Sequence, residues 1–315
     1  MSAARAQMAA VTRGSAREIV LINRTRKTAE AVATDMRYGT PLGPKVDIVD
    51  GDYNALEGAG IVLITAGVNE KTGGATDRND PQGRLRLLDK NAEIYRDVVP
   101  KIVRAEPNAV LLAVTDPPDP LADVARETCP GAAVLSAGTY LDSQRFRVHL
   151  AKYFGVDPAH VEAQVIGDHG TSQVFLWSSA RVGGVPVTAL LKRRGERLGD
   201  LRRKLERDVR YANITIIEGH DASQYGTGIV SACISEMVLN DERAVIPIGR
   251  RLSFHCFRIA ITSIRSMAPL ALHHARAARP VHAHSMYLIS IRHGSVADGE
   301  RMSLAIVAMP VWFDT

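Results

Sequence analysis

A chain of 315 residues that is 46% hydrophobic can build two packed domains, which excludes a peptide or a disordered tail. A 23% charged fraction suits a globular chain, and no run approaches the roughly eighteen apolar residues of a membrane span, so no membrane partner is expected. The formal net charge of +5 lies entirely in residues 250–315, which hold eight Arg, no Lys and three acidic residues; the rest balances at 31 against 31. Three widely separated cysteines argue against a disulfide framework, and the opening residues lack the apolar centre of a secretion signal. A cytoplasmic location is expected.

The Ala-rich stretch from Ser2 to Val11 predicts a helix leading into Gly14. Glu18–Asn23, Ile61–Gly67 and Ala109–Thr115 are short apolar runs bounded by Gly, Asp or Pro, as strands buried on both faces are. Thr28–Arg37 and Leu85–Arg104 read as the intervening helices. The alternation predicts an α/β fold with a doubly wound, Rossmann-like parallel sheet. Amphipathic stretches follow at Leu198–Glu218 and Ile229–Leu239, then a strand over Arg243–Gly249. A complete dinucleotide-binding unit starts with a strand and a Gly-rich turn, yet no glycine precedes Gly14. The sheet is therefore expected to lack its first strand and its pyrophosphate-binding turn.

The stretch from Val114 to Gly184 carries the chemistry. It contains Val114-Thr-Asp-Pro-Pro-Asp119, then Leu141-Asp-Ser-Gln-Arg-Phe146, then Gly167-Asp-His-Gly170. With these motifs, over roughly Ser2 to Gly249, the chain resembles the L-lactate/malate dehydrogenase family. The resemblance implies hydride exchange between a nicotinamide cofactor and a 2-hydroxy or 2-keto acid. The cofactor handles the hydride and the protein must handle the proton, a task that suits an imidazole titrating near neutrality. Carried over from the family, His169 is the general acid/base, Asp142 orients it, and Arg145 grips the substrate carboxylate through two parallel hydrogen bonds.

The family's mobile loop is matched at its start by Ala66-Gly67-Val-Asn-Glu70 and at its end by Arg84-Leu-Arg-Leu-Leu, with a longer stretch between. Arg84 takes the role of polarising the carbonyl, with Arg78 as the alternative. Glu70 falls where the family selects substrates. A carboxylate there repels the second carboxylate of oxaloacetate and favours a lactate-like substrate; alternatively, the enlarged loop turns Glu70 to solvent. Asp116 stands where the family has Asn and cannot donate a hydrogen bond when ionised. Ser223 matches the family Thr that closes the substrate pocket and keeps its hydroxyl. Gly67 and Thr115 fall in the cofactor-binding elements. Asn23 replaces the Asp that holds the adenosine ribose, and Arg24 and Arg26 follow it, so NAD is the expected cofactor with NADP possible.

From Arg250 onward the segment shows neither steady helical nor strand period, and its Arg and His usage changes abruptly, as in an out-of-frame reading of a GC-rich gene. Six of the ten histidines lie here, yet their spacing suggests no metal site, and no nucleic-acid partner is expected. Three parts result: a truncated dinucleotide-binding domain over 1–141, an α+β catalytic domain over 142–249, and a divergent basic segment over 250–315, poorly ordered if it does not fold. Family analogy implies a homo-oligomer. The competing reading is a catalytically silent relative with an interaction or scaffold role, separable by whether NADH or NADPH binds without the turn.

Overall fold

The computed structural model describes residues 2–68, 83–170, 172–220, 222–250, 287–288 and 303–308. They fall into two compact units, one of residues 1–137, 211–245 and 288–315, the other of 138–210 and 246–287.

The first unit opens with helix α1 (Ser2–Arg13), as its alanine content predicts, followed by β1 (Glu18–Asn23), α2 (Arg26–Gly39), β2 (Asp47–Gly51) and β3 (Ala59–Ile64). After the residues outside the description come a 3-10 turn over Gly83–Leu87, then α3 (Leu88–Ala105), β4 (Val110–Ala113), α4 (Pro118–Thr128) and β5 (Ala133–Ser136). In α3, Asn91, Ala92, Tyr95, Val98, Val99 and Ile102 are buried, the spacing of one helical face. The strands are buried on both sides. Val20, Ile22, Val62, Ile64, Leu111 and Ala113 join the α3–α4 core, while the alternate residues Ile19, Leu21, Ile61 and Leu63 point the other way and are equally buried.

The second unit contains α5 (Tyr140–Phe154), β6 (Val161–Glu162), β7 (Val165–Ile166), β8 (Val174–Phe175), β9 (Arg181–Val182), β10 (Val185–Pro186), α6 (Val187–Arg194) and α7 (Leu198–Arg210). Its core gathers Phe146, Leu150, Phe175, Trp177, Leu191, Leu201, Leu205 and Val209. The single amphipathic helix expected over 198–218 is broken at Tyr211, and α8 (Ala212–His220) and α9 (Tyr225–Leu239) return to the first unit. The strand expected over 243–249 survives only as β11 (Val245–Ile246) and β12 (Gly249–Arg250); β13 (Tyr287–Leu288) is equally short.

One element corrects the reading of the chain after Arg250. Residues Ser303–Ala308 form β14, parallel to β1 and β3 and hydrogen-bonded between them. Within the first unit six neighbouring strands follow the order β5-β4-β3-β14-β1-β2. From the β14 position the chain winds outward both ways, so β14 holds the place that a doubly wound sheet normally gives its first strand. The position expected to be empty is filled. Leu304, Ala305, Ile306 and Val307 are fully buried, Ser303 Oγ donates to Glu18 Oε1 at 3.0 Å, and the Thr65 amide donates to the Val307 carbonyl at 3.0 Å. Unfilled, the slot would leave β1 and β3 with facing rows of unpaired backbone groups. The strand escapes a sequence reading because a run of six residues makes a weak signal and its partners lie roughly 240 to 285 positions away.

Among the described residues no helix is long and apolar enough to cross a membrane, and no cluster of three His, Cys, Asp or Glu is placed to hold a metal.

Candidate active site

Asp142 stands in the first turn of α5, where the helix's unpaired N–H groups favour a carboxylate. Arg145 follows three residues later, on the same face, and its Nη1 donates to Asp142 Oδ1 at 2.9 Å. The other carboxylate oxygen, Oδ2, lies 2.5 Å from His169 Nδ1. Asp142 is 1% exposed, while the side chains of His169 and Arg145 keep 13% and 11% of their surface. A carboxylate this deep is sustained by cationic and N–H partners. With Asp142 accepting at Nδ1, the imidazole is held as the tautomer that turns Nε2 into the proton acceptor. The expected constellation of His169, Asp142 and Arg145 is therefore assembled.

His169 rides on a loop joining β7 to β8, antiparallel strands paired Val165 with Phe175 and Ile166 with Val174. The loop departs through Gly167 at φ 91°, a left-handed conformation that favours glycine. Its upstream end is pinned to the start of α5: Thr139 Oγ1 donates to the Val165 carbonyl at 2.6 Å, and the Val165 amide donates to Ser143 Oγ at 2.9 Å. These two anchors flank Asp142, so one helical turn fixes both the carboxylate and the root of the histidine loop. At the downstream end Gln173 Nε2 donates to the Gly170 carbonyl at 2.9 Å.

The remaining predicted residues lie in the first unit. Asn23 ends β1, and its Oδ1 accepts from the Thr25 amide at 3.1 Å. Arg24 is exposed. Arg26 is committed elsewhere: its Nε donates to Asp50 Oδ2 at 3.0 Å and its Nη2 to the Asp50 carbonyl at 2.8 Å. Burial pushes the Asp50 carboxyl up, but the bonds from Arg37 and Arg26 outweigh it and hold the group below its ordinary range. Gly67 follows β3 and packs so tightly that a Cβ would stand 2.3 Å from Thr115 Cγ2. Thr115 Oγ1 in turn donates to the Ala66 carbonyl at 2.8 Å. Asp116 follows it, with a cis bond to Pro117. Ser223 is half-buried, just before α9. Arg84 belongs to the 3-10 turn over Gly83–Leu87, while its side chain, Glu70 and Arg78 lie outside the described residues.

One residue given no role from the sequence proves central to this edge of the sheet. Asn91 is fully buried in α3, its Oδ1 accepting from the Val68 amide at 2.8 Å and its Nδ2 donating to the Asp116 carbonyl at 2.8 Å. It ties the segment after β3 to the segment after β4, both at the carboxyl ends of strands, where doubly wound sheets bind ligands. The available signal was an amide sitting on the apolar stripe of an amphipathic helix.

Comparison with known proteins agrees with this geometry. Residues 2–134 match the lactate/malate dehydrogenase NAD binding domain, and residues 139–253 match the α/β C-terminal domain of the same family. The chain belongs to the lactate/malate dehydrogenase family. It is 41% identical over 245 residues to an L-lactate dehydrogenase of Deinococcus radiodurans, covering 78% of each chain. With an L-lactate dehydrogenase of Thermus aquaticus it shares 42% identity over 244 residues, 76% of each. Among solved structures, the minor L-lactate dehydrogenase of Enterococcus mundtii superposes with a TM-score of 0.69 at 30% identity, covering 80% of this chain and 78% of that one. A lactate dehydrogenase from a Medee basin deep-sea metagenome library gives 0.68 at 33%, covering 78% and 76%.

As a family member the chain is an NAD-linked oxidoreductase of hydroxy and keto acids. Its residues fit the cofactor unevenly. At the adenosine end Asn23 offers an amide where a carboxylate would accept from the ribose hydroxyls, and Arg24 stands beside it. On the pyrophosphate side, β14 supplies the central strand of the sheet.

Proposed function

We propose that this dehydrogenase interconverts a lactate-like 2-hydroxy acid and its 2-keto acid, with NAD favoured over NADP. The observation that carries the reading is a buried carboxylate, Asp142, shared between His169 at 2.5 Å and Arg145 at 2.9 Å. The nicotinamide, when bound, supplies or takes the hydride. His169 gives a proton to the carbonyl oxygen as it is reduced and withdraws it in the reverse direction. Asp142 fixes the imidazole's tautomer and stabilises the imidazolium. Arg145 grips the substrate carboxylate, Arg84 polarises the carbonyl, and Asp116 and Ser223 line the substrate side.

NAD is favoured because Arg26, one of two guanidinium groups able to attract a 2′-phosphate, is spent on Asp50. Only Arg24 remains to discriminate. Lactate-type substrates are favoured because Glu70, in the specificity position of the family loop, repels a second carboxylate. Self-association follows by analogy with the family.

The test compares kcat/KM for pyruvate and oxaloacetate with NADH and with NADPH. Pyruvate with NADH is expected to lead, and a clear oxaloacetate preference overturns the substrate assignment. Calorimetric titration with NADH separates this reading from a silent relative: weak but saturable binding supports turnover, and no binding at all defeats it.

A further inference from the structure

Resting on the reading of His169 as the proton-exchanging group, we propose that Gln173, clamped by Arg210, is the positioning residue that sets the histidine loop against Asp142. The two ends of the loop are held by different means. At the upstream end Thr139 and Ser143 bond directly to Val165. Downstream, the Gln173 side chain reaches back to the Gly170 carbonyl, adjacent to His169, at 2.9 Å. Gln173 is 3% exposed, and its own carbonyl accepts from Arg210 Nη2 at 3.2 Å.

Arg210 is itself held on two sides. Its Nη2 lies 3.2 Å from Glu206 Oε2, and its guanidinium covers the Phe175 ring at 5.3 Å from the centroid. Glu206 is anchored by Trp177 Nε1 at 2.9 Å and Arg202 Nε at 2.7 Å. Phe175 meets Phe146 edge to face at 5.1 Å, and Phe146 is the neighbour of Arg145 on α5. The brace therefore runs from α7 through Arg210 and Gln173 to Gly170, and its aromatic arm returns to the helix carrying Asp142 and Arg145.

Gln173 Oε1 and Arg210 Nε are buried without a hydrogen-bond partner among the described residues. Leaving such groups unmatched is unfavourable. Polar groups kept at a buried place at such a cost are expected where orientation matters.

The experiment uses the full chain labelled with 15N-histidine, the His169 ring signals being identified by their loss in His169→Gln. Ring 15N shifts report which nitrogen carries the proton. In the unaltered protein they are expected to show one tautomer, protonated at Nδ1 opposite Asp142. In Gln173→Met, which keeps length and loses the donor, they should move toward mixed tautomers. At the same time kcat for 2-keto acid reduction should fall roughly tenfold with KM for NADH unchanged. Arg210→Lys, which keeps charge but loses the planar contact, is read in the same way if Gln173→Met does not fold.

Unchanged ring shifts in a folded variant overturn the proposal, whatever the activity. Altered shifts in a protein that never turns over leave the brace standing and remove the catalytic reading instead.

Discussion

Asp142 shows how a single residue serves two partners. Its depth makes the carboxylate dependent on both His169 and Arg145. Asp142→Asn preserves shape but offers an amide that can present N–H to the imidazole, favouring the wrong tautomer. A fall in kcat of about a hundredfold or more is expected in pre-steady-state reduction of pyruvate, with the fold intact by circular dichroism. A change within threefold would remove Asp142 from the mechanism. Asp116 tests the opposite direction. Its backbone is held by Asn91, so Asp116→Asn should leave the local fold unaltered while supplying a side-chain donor at the proposed substrate position. The expected outcome is a higher kcat/KM for pyruvate; a lower value means that the carboxylate has a use of its own.

Between elements, the pairing of α1 with α9 ties the first unit together. The helices approach so closely at Gly228 that a Cβ would stand 2.8 Å from the Arg5 carbonyl oxygen, and Ala6 and Ala10 are buried in α1. Arg13 clamps the pair, its Nε and Nη2 each 2.7 Å from an oxygen of Glu236, with Ser15 Oγ donating at 2.7 Å. The hydrogen bonds from Arg13 lead in holding the Glu236 carboxyl below its ordinary value of 4.5, against the opposing effect of burial. A carboxylate lowered in the folded state contributes stability that is present above its unfolded value and lost as the pH falls through the folded one. Denaturant unfolding from pH 7 down to pH 3 should therefore show a loss below about pH 4.5 that is reduced in Glu236→Gln. Identical pH dependence in the two proteins would assign the acid sensitivity to other carboxylates.

Across the whole molecule, β14 sits at the centre of the sheet while its sequence lies at the far end of the chain. Hydrogen exchange measured by mass spectrometry should find the amides of residues 303–308 protected as deeply as those of β3. Exchange at the rate of an open chain would deny the strand its place. Ile306 is fully buried, so Ile306→Ala should destabilise the first unit by about 2–5 kcal/mol, through lost burial and the cavity left behind. Much of this architecture was readable beforehand. The apolar runs over Glu18–Asn23 and Ala109–Thr115 announced doubly buried strands, because both faces of such a sheet meet helices. The motifs around Asp142 and His169 named the family. Gln173 stayed hidden because a hydrogen bond to a backbone carbonyl leaves no pattern in neighbouring residues, and the partners of Asn91 were as unreadable although its place on an apolar stripe was not. The helix break at Tyr211 escaped for a similar reason: α7 packs in one unit and α8 in the other, a choice made by tertiary contacts.

Local order in the chain was sufficient to determine the α/β class and the family, and to single out His169, Asp142 and Arg145 as a trio that the fold brings together. Periodic burial and motif spacing are short-range properties, and they survive translation into a string of residues. Only the folded structure decided that residues 303–308 complete the sheet, that Arg26 is taken by Asp50, and that Gln173 bonds to the Gly170 carbonyl. Each of these depends on groups meeting across a distance in sequence, where the deciding quantity is which partner can satisfy a buried backbone or charged group in three dimensions.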